Sequence, residues 1–142
     1  MSACIFCDIA AGEAPASIIY QDDAVLAFMD ILPVNLGHVL VVPRKHATYM
    51  AEMDEAVGLS LFRVTMRIEQ AIRNSDVRCE GINLYLADGV AAGQEIYHVH
   101  MHVFPRFIGD YFTVFSGRGI SPSRQQLDGI AASIRSAYQL LS

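Results

Sequence analysis

The chain has 142 residues, a formal net charge of −5, 53% hydrophobic residues and only three cysteines. That length suits one domain with a proper core, and a mean hydropathy of +0.32 fits a compact globule and excludes disorder. The acidic balance excludes general nucleic-acid binding, which needs a basic face, so any anionic ligand must be held locally by imidazoles, backbone N–H groups or a few arginines. No apolar run approaches the roughly 18–20 residues that span a bilayer, and no basic-then-apolar signal pattern opens the chain. With an odd number of cysteines, a fully paired disulfide framework would leave one over, so a reducing cytoplasm is expected.

Cys4-Ile5-Phe6-Cys7 opens a short helix whose apolar side carries Phe6 and Ile9, and Gly12 stops it. The C-x-x-C spacing suits one metal ion, a redox pair, or two unrelated core cysteines. Residues 18–20 and 24–29 predict two strands joined by the polar turn Gln21-Asp22-Asp23. Asp30 follows directly, either as a turn residue before Pro33 or as a carboxylate accepting hydrogen bonds from sugar hydroxyls. Residues 38–43 predict a third strand, entered through Gly37 and followed by the donors Arg44, Lys45 and His46. Its apolar run, Val39–Pro43, reads as a buried strand.

From Asp54 to about Arg73 the period changes to that of an amphipathic helix, with Val57, Leu61, Val64, Ile68 and Ala71 or Ile72 on one face. Asp54 can serve as its N-cap, and Glu55 suits the positive end of the dipole. Leu59, Phe62 and Met66 lie off the stripe, as on a helix held between a sheet and a partner. Residues 82–86 predict a fourth strand. The small-residue loop that follows, 87–95, carries Gly89 and Gly93, whose freedom lets backbone N–H groups approach an anion.

Three of the five histidines then fall at i, i+2 and i+4: His98-Val99-His100-Met101-His102-Val103-Phe104. A period of two predicts a strand with one apolar face and one imidazole face. Same-face neighbours on a strand stand roughly 6.5–7 Å apart, close enough for one phosphate to touch two rings. Three imidazoles on one face demand three sets of hydrogen-bond partners, so they read as a chemical site. Imidazole titrates near neutrality and is an available nucleophile for phosphorus at pH 7. Neighbouring protonated imidazoles and loop N–H groups can stabilise charge on phosphoryl oxygens. Pro105 is expected to end the strand. Beyond Arg106 an irregular region with Gly109, Gly117 and Gly119 and the aromatics Tyr111, Phe112 and Phe115 reads as a cover for the site or a source of substrate contacts. Ser121-Pro122 reads as N-cap and N1 of a last helix.

The run from Gly93 to Phe104 resembles the signature of the histidine triad (HIT) superfamily, His-φ-His-φ-His-φ-φ with φ apolar. Residues 4–7, 26–30 and 37–46 are similar to runs in bacterial members, of the Hint and dinucleoside polyphosphate hydrolase branches alike. The resemblance covers about residues 4–110, and the last 30 residues resemble nothing recognisable. It implies a single α+β domain over 1–142, with an antiparallel sheet, a short N-terminal helix, a long central helix near a homodimer interface, and a C-terminal extension from about 111. It also implies a purine nucleotide or dinucleotide as substrate, cleaved at the α-phosphorus, with no organic cofactor. By position, His100 would be the nucleophile that forms a nucleotidyl-histidine. The His98 carbonyl would fix the tautomer of His100, His102 would hold a phosphate oxygen, and His38 would support the triad. Gln94 would reach the bridging or leaving-group oxygen, and Gly93 and Glu95 would lie along the phosphates. Asp30 would hold the ribose, with Phe6, Ile9, Phe28 and Ile31 around the base. Cys4, Cys7, His46 and His98 would form a structural zinc site, a set that suits tetrahedral zinc. Cys79 reads as an inert buried thiol.

Two positions depart from the family pattern. Ala87 stands where many Hint members carry Asn, and Glu95 stands where Ser or Thr often donates to a phosphate. An ionised carboxylate at 95 would repel phosphate, which leaves only its backbone N–H for binding. The leading expectation is therefore a nucleotide hydrolase or nucleotidyl transferase, either a phosphoramidase or a dinucleoside polyphosphate hydrolase. A nucleotide-binding adaptor with negligible turnover competes with it, and a metallohydrolase using His-x-His on one strand ranks last.

Overall fold

A computed structural model describes residues 3–113 and 119–141 of the chain. It divides into two units, one running to Tyr111 and the other starting at Phe112. The first unit is α+β. In chain order it holds α1 (Ile5–Ala10), β1 (Ile18–Gln21), β2 (Val25–Met29), β3 (Val39–Pro43), α2 (Glu55–Arg73), β4 (Gly81–Tyr85) and β5 (Met101–Arg106). The sheet is antiparallel throughout, in the order β1-β2-β3-β5-β4.

Alternation along β2 and β3 divides the core between the two faces of the sheet, because successive side chains of a strand point opposite ways. Val25, Ala27, Val39 and Val41 join Val99 and Val103 and pack with Leu61, Val64, Ile68 and Ile72 of α2. Leu26, Phe28, Leu40 and Val42 face the other way, onto Phe6 and Ile9 of α1. Both layers close over β3, whose five residues are all buried. The stripe expected on α2 is the buried one, and the Asp54 carbonyl accepts from Val57 and Gly58 N–H at the helix start. Truncating a buried leucine such as Leu61, 2% exposed, to alanine would cost about 2–5 kcal/mol. Leu59, Phe62 and Met66 lie on the exposed side of α2.

Gly37 is required where it stands. Its φ is +101°, and a Cβ there would meet Val77 Cγ1 at 2.6 Å. The chain can therefore turn into β3 and lie against the α2–β4 connection only with glycine at this position.

Two boundaries differ from expectation. β5 begins at Met101 and runs through Pro105 to Arg106, so His98 and His100 precede it and Pro105 does not end it. Pro105 is tolerated because β3 pairs only as far as Val103. The Pro105 carbonyl accepts from Asn35 rather than from the neighbouring strand, so its missing N–H lies on the side where no ladder continues. In the second unit, α3 (Arg124–Gln139) is capped by Ser123, not Ser121. Ser123 and Gln126 form a reciprocal capping box that satisfies two otherwise orphaned N–H groups. Tyr111 is fully exposed, while Phe115 and Gly117 lie outside the described residues. Among the described residues, no helix is long and apolar enough to cross a membrane.

Candidate active site

The register of β3 against β5 pairs Leu40 with His102 and so puts His102 on the α1 face of the sheet. His38, two residues before Leu40, belongs to that face, and the edge of Phe6 meets the His98 and His100 rings at centroid distances of 5.7 and 5.2 Å. His100 and His102 rings stand 4.9 Å apart, with His100 just outside β5. The imidazole face read from the sequence is thus built, with Val99 and Val103 packed on the opposite side.

Backbone groups fix the tautomers, since a carbonyl can only accept and an N–H can only donate. The His98 carbonyl lies 2.8 Å from His100 Nδ1, so Nδ1 carries the proton and Nε2 keeps its lone pair. The Pro43 carbonyl lies 2.8 Å from His98 Nε2, which leaves the lone pair of His98 on Nδ1. Val34 N–H donates to His38 Nδ1 at 3.0 Å, so the His38 proton sits on Nε2. His38 Nε2 in turn lies 2.9 Å from His102 Nδ1 and 3.5 Å from Asp30 Oδ2. It donates to His102, whose remaining proton is therefore on Nε2. The Val34–His38–His102 chain makes His102 a hydrogen-bond donor at its far nitrogen.

Burial holds His38 below its ordinary pKa, against the pull of Asp30. Burial also depresses His98. His102 is pushed down to about 4, by burial first and then by its neighbours His100 and His38. His102 and His38 are therefore neutral near pH 7. The expected stabilisation by protonated neighbours is corrected accordingly: these rings offer N–H dipoles and not cations.

Two groups of side chains bring metal-type donors together. Cys4, Cys7, His46 and His98 present ligand atoms that all lie within 4.8 Å of one another. Cys4 Sγ and His46 Nδ1 stand 3.3 and 3.2 Å from His98 Nδ1, the nitrogen that Pro43 leaves unprotonated. Two thiols and two imidazoles converging on one point are a donor set that fits tetrahedral zinc. Asp30, His38 and His102 form the other group. There the geometry opposes a metal, because Val34 N–H occupies the His38 lone pair and Nε2 must carry a proton.

A family model for the HIT domain matches residues 11–109. The chain belongs to the HIT family. An uncharacterised HIT-like protein of Borreliella burgdorferi is 44% identical over 111 residues, which are 77% of this chain and 79% of that protein. The crystal structure of a HIT family member from Bacillus subtilis superposes with a TM-score of 0.86 at 35% identity, covering 95% of this chain and 96% of that one. A zinc-bound histidine triad family protein from Mycobacterium smegmatis superposes with a TM-score of 0.75 at 34% identity, covering 95% and 97%.

Against the HIT pattern, the fold brings His38, His98, His100 and His102 together with Asp30. Asp30 Oδ1 accepts from Leu32 N–H at 2.9 Å, so the residue does form the local turn read from the sequence. Phe6, Ile9 and Phe28 share one buried cluster, whereas Ile31 is 90% exposed and stands apart from it. Gln94 is buried, and its amide is fully engaged: Oε1 accepts from Gly89 N–H, and Nε2 donates to the Thr48 and Ile96 carbonyls. Reaching a leaving group would require it to give up one of these bonds. The loop amides also differ from expectation. Gly93 N–H donates to the Val90 carbonyl and Gln94 N–H to that of Gly89, because the 3-10 turn Val90–Ala92 consumes them. Glu95 is exposed. Cys79 is half-buried, with its thiol toward the Gly81 carbonyl. Sequence reasoning missed Val34, whose contribution is a backbone N–H. It also missed Asn35 and Asp110, which lie in irregular segments without periodicity, and the anchoring role of Arg106 at the end of β5.

Proposed function

We propose that this HIT protein binds a purine nucleotide on its histidine face and cleaves it at the α-phosphorus through a nucleotidyl-His100 intermediate. The observation that carries the reading is the 2.8 Å contact between His100 Nδ1 and the His98 carbonyl, which puts a proton on Nδ1 and leaves Nε2 as the ring nitrogen that can act as nucleophile. In the first step Nε2 bonds to phosphorus, and the leaving group departs with the bonding pair, as a phosphate or as an amine that takes up a proton from solvent. Water then attacks the same phosphorus and gives up a proton to solvent, which breaks the Nε2–P bond, returns the Nε2 lone pair and releases the nucleoside monophosphate. His102 Nε2–H donates to a non-bridging oxygen as charge builds there, and His38 keeps that proton in place. Asp30 receives the ribose hydroxyls, and Gln94 supports the loop beneath the triad. The homodimer belongs to the same reading, supported by the exposed Leu59, Phe62 and Met66 on α2.

Zinc suits the Cys4, Cys7, His46 and His98 set as a structural ion. It would hold α1 against the segment that carries His98, and it supplies no group to the reaction.

The test is a substrate panel of adenosine phosphoramidates, diadenosine polyphosphates and aminoacyl adenylates, with acid-sensitive trapping of the intermediate under mild conditions. Turnover of one class, with adenylate mass on the peptide containing His100, supports the reading. Binding without turnover of any of the three would favour an adaptor.

A further inference from the structure

We propose that Asn35 is a positioning residue for the His38–His102 pair, acting through the loop amide that selects the His38 tautomer. The inference rests on the proposed phosphate-holding role of His102. Residues 30–38 leave β2 and re-enter the sheet at β3, and the loop closes through Asp30 N–H to the His38 carbonyl at 3.0 Å. Within it, His38 is bound to two adjacent residues: its N–H donates to the Asn35 carbonyl at 3.1 Å, and its Nδ1 accepts from Val34 N–H at 3.0 Å. The direction of the Val34 amide therefore depends on where Asn35 is held.

Asn35 is held by both of its side-chain protons. Nδ2 donates to the Pro105 carbonyl at 2.9 Å and to Asp110 Oδ2 at 2.8 Å. Asp110, whose side chain is 4% exposed, is gripped by Arg106 in a forked pair, Nε to Oδ2 and Nη2 to Oδ1, both 2.7 Å. Arg106 Nη1 reaches Asn83 Oδ1 on β4 at 2.7 Å. Planar two-point pairs of this kind fix orientation as well as distance. The His38 loop is thereby tied to the far end of β5, the strand that carries His102.

The consequence is chemical as well as mechanical. If the Val34 amide turns away, nothing on that side keeps Nδ1 of His38 unprotonated. The proton can then move from Nε2 to Nδ1, and His38 no longer donates to His102. His102 is free to carry its own proton on Nδ1, which leaves a lone pair at Nε2 facing phosphate oxygens. A lone pair there repels the group that the proton would hold.

The test uses the full chain with 15N-labelled histidine, and long-range 15N–1H correlation reads each ring's tautomer without substrate. Wild type should show Nε2–H on both His38 and His102. Asn35→Ala should give mixed tautomers on both rings, and AMP should bind more weakly by the reciprocal of the remaining Nε2–H fraction of His102, roughly three- to tenfold if a third to a tenth remains. Asn35→Ser, which keeps one donor, should fall between, and it serves alone if the alanine variant does not fold. Unchanged tautomers and AMP affinity within twofold, with only the melting temperature lowered, would overturn the proposal and leave Asn35 a purely structural residue. Failure of wild type to bind AMP would overturn the proposed function instead, while the tautomers would still decide the role of Asn35.

Discussion

The His98 carbonyl and His100 Nδ1, 2.8 Å apart, join two residues of one short segment so that each sets the other's use. The ring of His98 turns toward Cys4, Cys7 and His46, while its backbone faces His100. One residue thus serves the metal-type donor set with its side chain and the nucleophile with its main chain. Replacing the nucleophile should separate binding from chemistry. His100→Asn keeps a polar side chain and leaves His102 and Asp30 intact, so AMP affinity should change by less than tenfold while turnover falls by several orders of magnitude. Single-turnover kinetics beside AMP titration check both numbers. Near wild-type hydrolysis by this variant would refute a covalent role for His100.

Asp30 offers a second separation. Its Oδ1 supports the local turn through Leu32 N–H, so Asp30→Ala has a structural cost common to every ligand. The diagnostic quantity is the difference between ribonucleotides and their 2′-deoxy counterparts. If the carboxylate receives the ribose hydroxyls, the ribonucleotide should lose about 1.5–3 kcal/mol more than the deoxynucleotide. Calorimetric titration of AMP and dAMP into both proteins measures it. Equal losses would leave Asp30 a turn residue.

What the sequence disclosed and what it hid have a common cause. The histidine face, the buried stripe of α2 and the short helix before Gly12 were legible because each is a local period set by backbone geometry. The start of β5 was not, because strand limits depend on which neighbours arrive alongside: β3 reaches Met101, and β4 continues to Arg106. Pro105 misled for the same reason, since its tolerance depends on β3 ending early. Ser121 reads as the cap of the last helix, whereas the reciprocal bonds with Gln126 make Ser123 the cap. Gln94 finds one of its partners 46 residues away and Asn35 finds two at 70 and 75, and such bonds leave no period to read. The family resemblance supplied roles for the histidines, and the tautomers that make those roles workable came only from backbone partners in three dimensions.

The Cys4, Cys7, His46 and His98 group makes a prediction about metal content. In the metal-free state, burial and the neighbouring Cys4 push the Cys7 thiol up to about 11, so binding must displace a proton and should weaken toward acid. Protein purified without chelator should carry about one zinc per chain, as expected for a closed four-ligand site. Cys4→Ala should lose the ion and melt at lower temperature, and chelation should lower the wild-type melting temperature without altering the variant's. Elemental analysis and scanning calorimetry give both readings. A zinc-free protein indifferent to chelator would show that these thiols pack without a metal.

The neutral histidines make the fold sensitive to mild acid in a definite direction. His102 titrates near 4 in the folded chain, and His38 is also depressed, both chiefly through burial. In an unfolded chain histidine titrates near ~6.5. As pH falls below that value the unfolded state takes up protons that the folded state refuses, so stability must fall. The loss should begin near pH 6.5 and level off for His102 only near 4. Asp110, held well below the usual carboxylate range by Arg106, adds its own loss at lower pH, below the unfolded carboxylate value of about 3.9. The interval from pH 6.5 to 5 therefore isolates the histidines. Allowing for its partial exposure, His102 alone should contribute on the order of 1–2 kcal/mol across its full range. Urea unfolding at half-unit steps from pH 7.5 to 4.5, with chelator present to remove metal effects, measures the slope. His102→Gln should show a shallower decline, because the unfolded variant has one fewer proton to gain. A wild-type stability that is flat from pH 7 to 5 would mean that these rings protonate in place, and the neutral donor assigned to His102 would have to be abandoned.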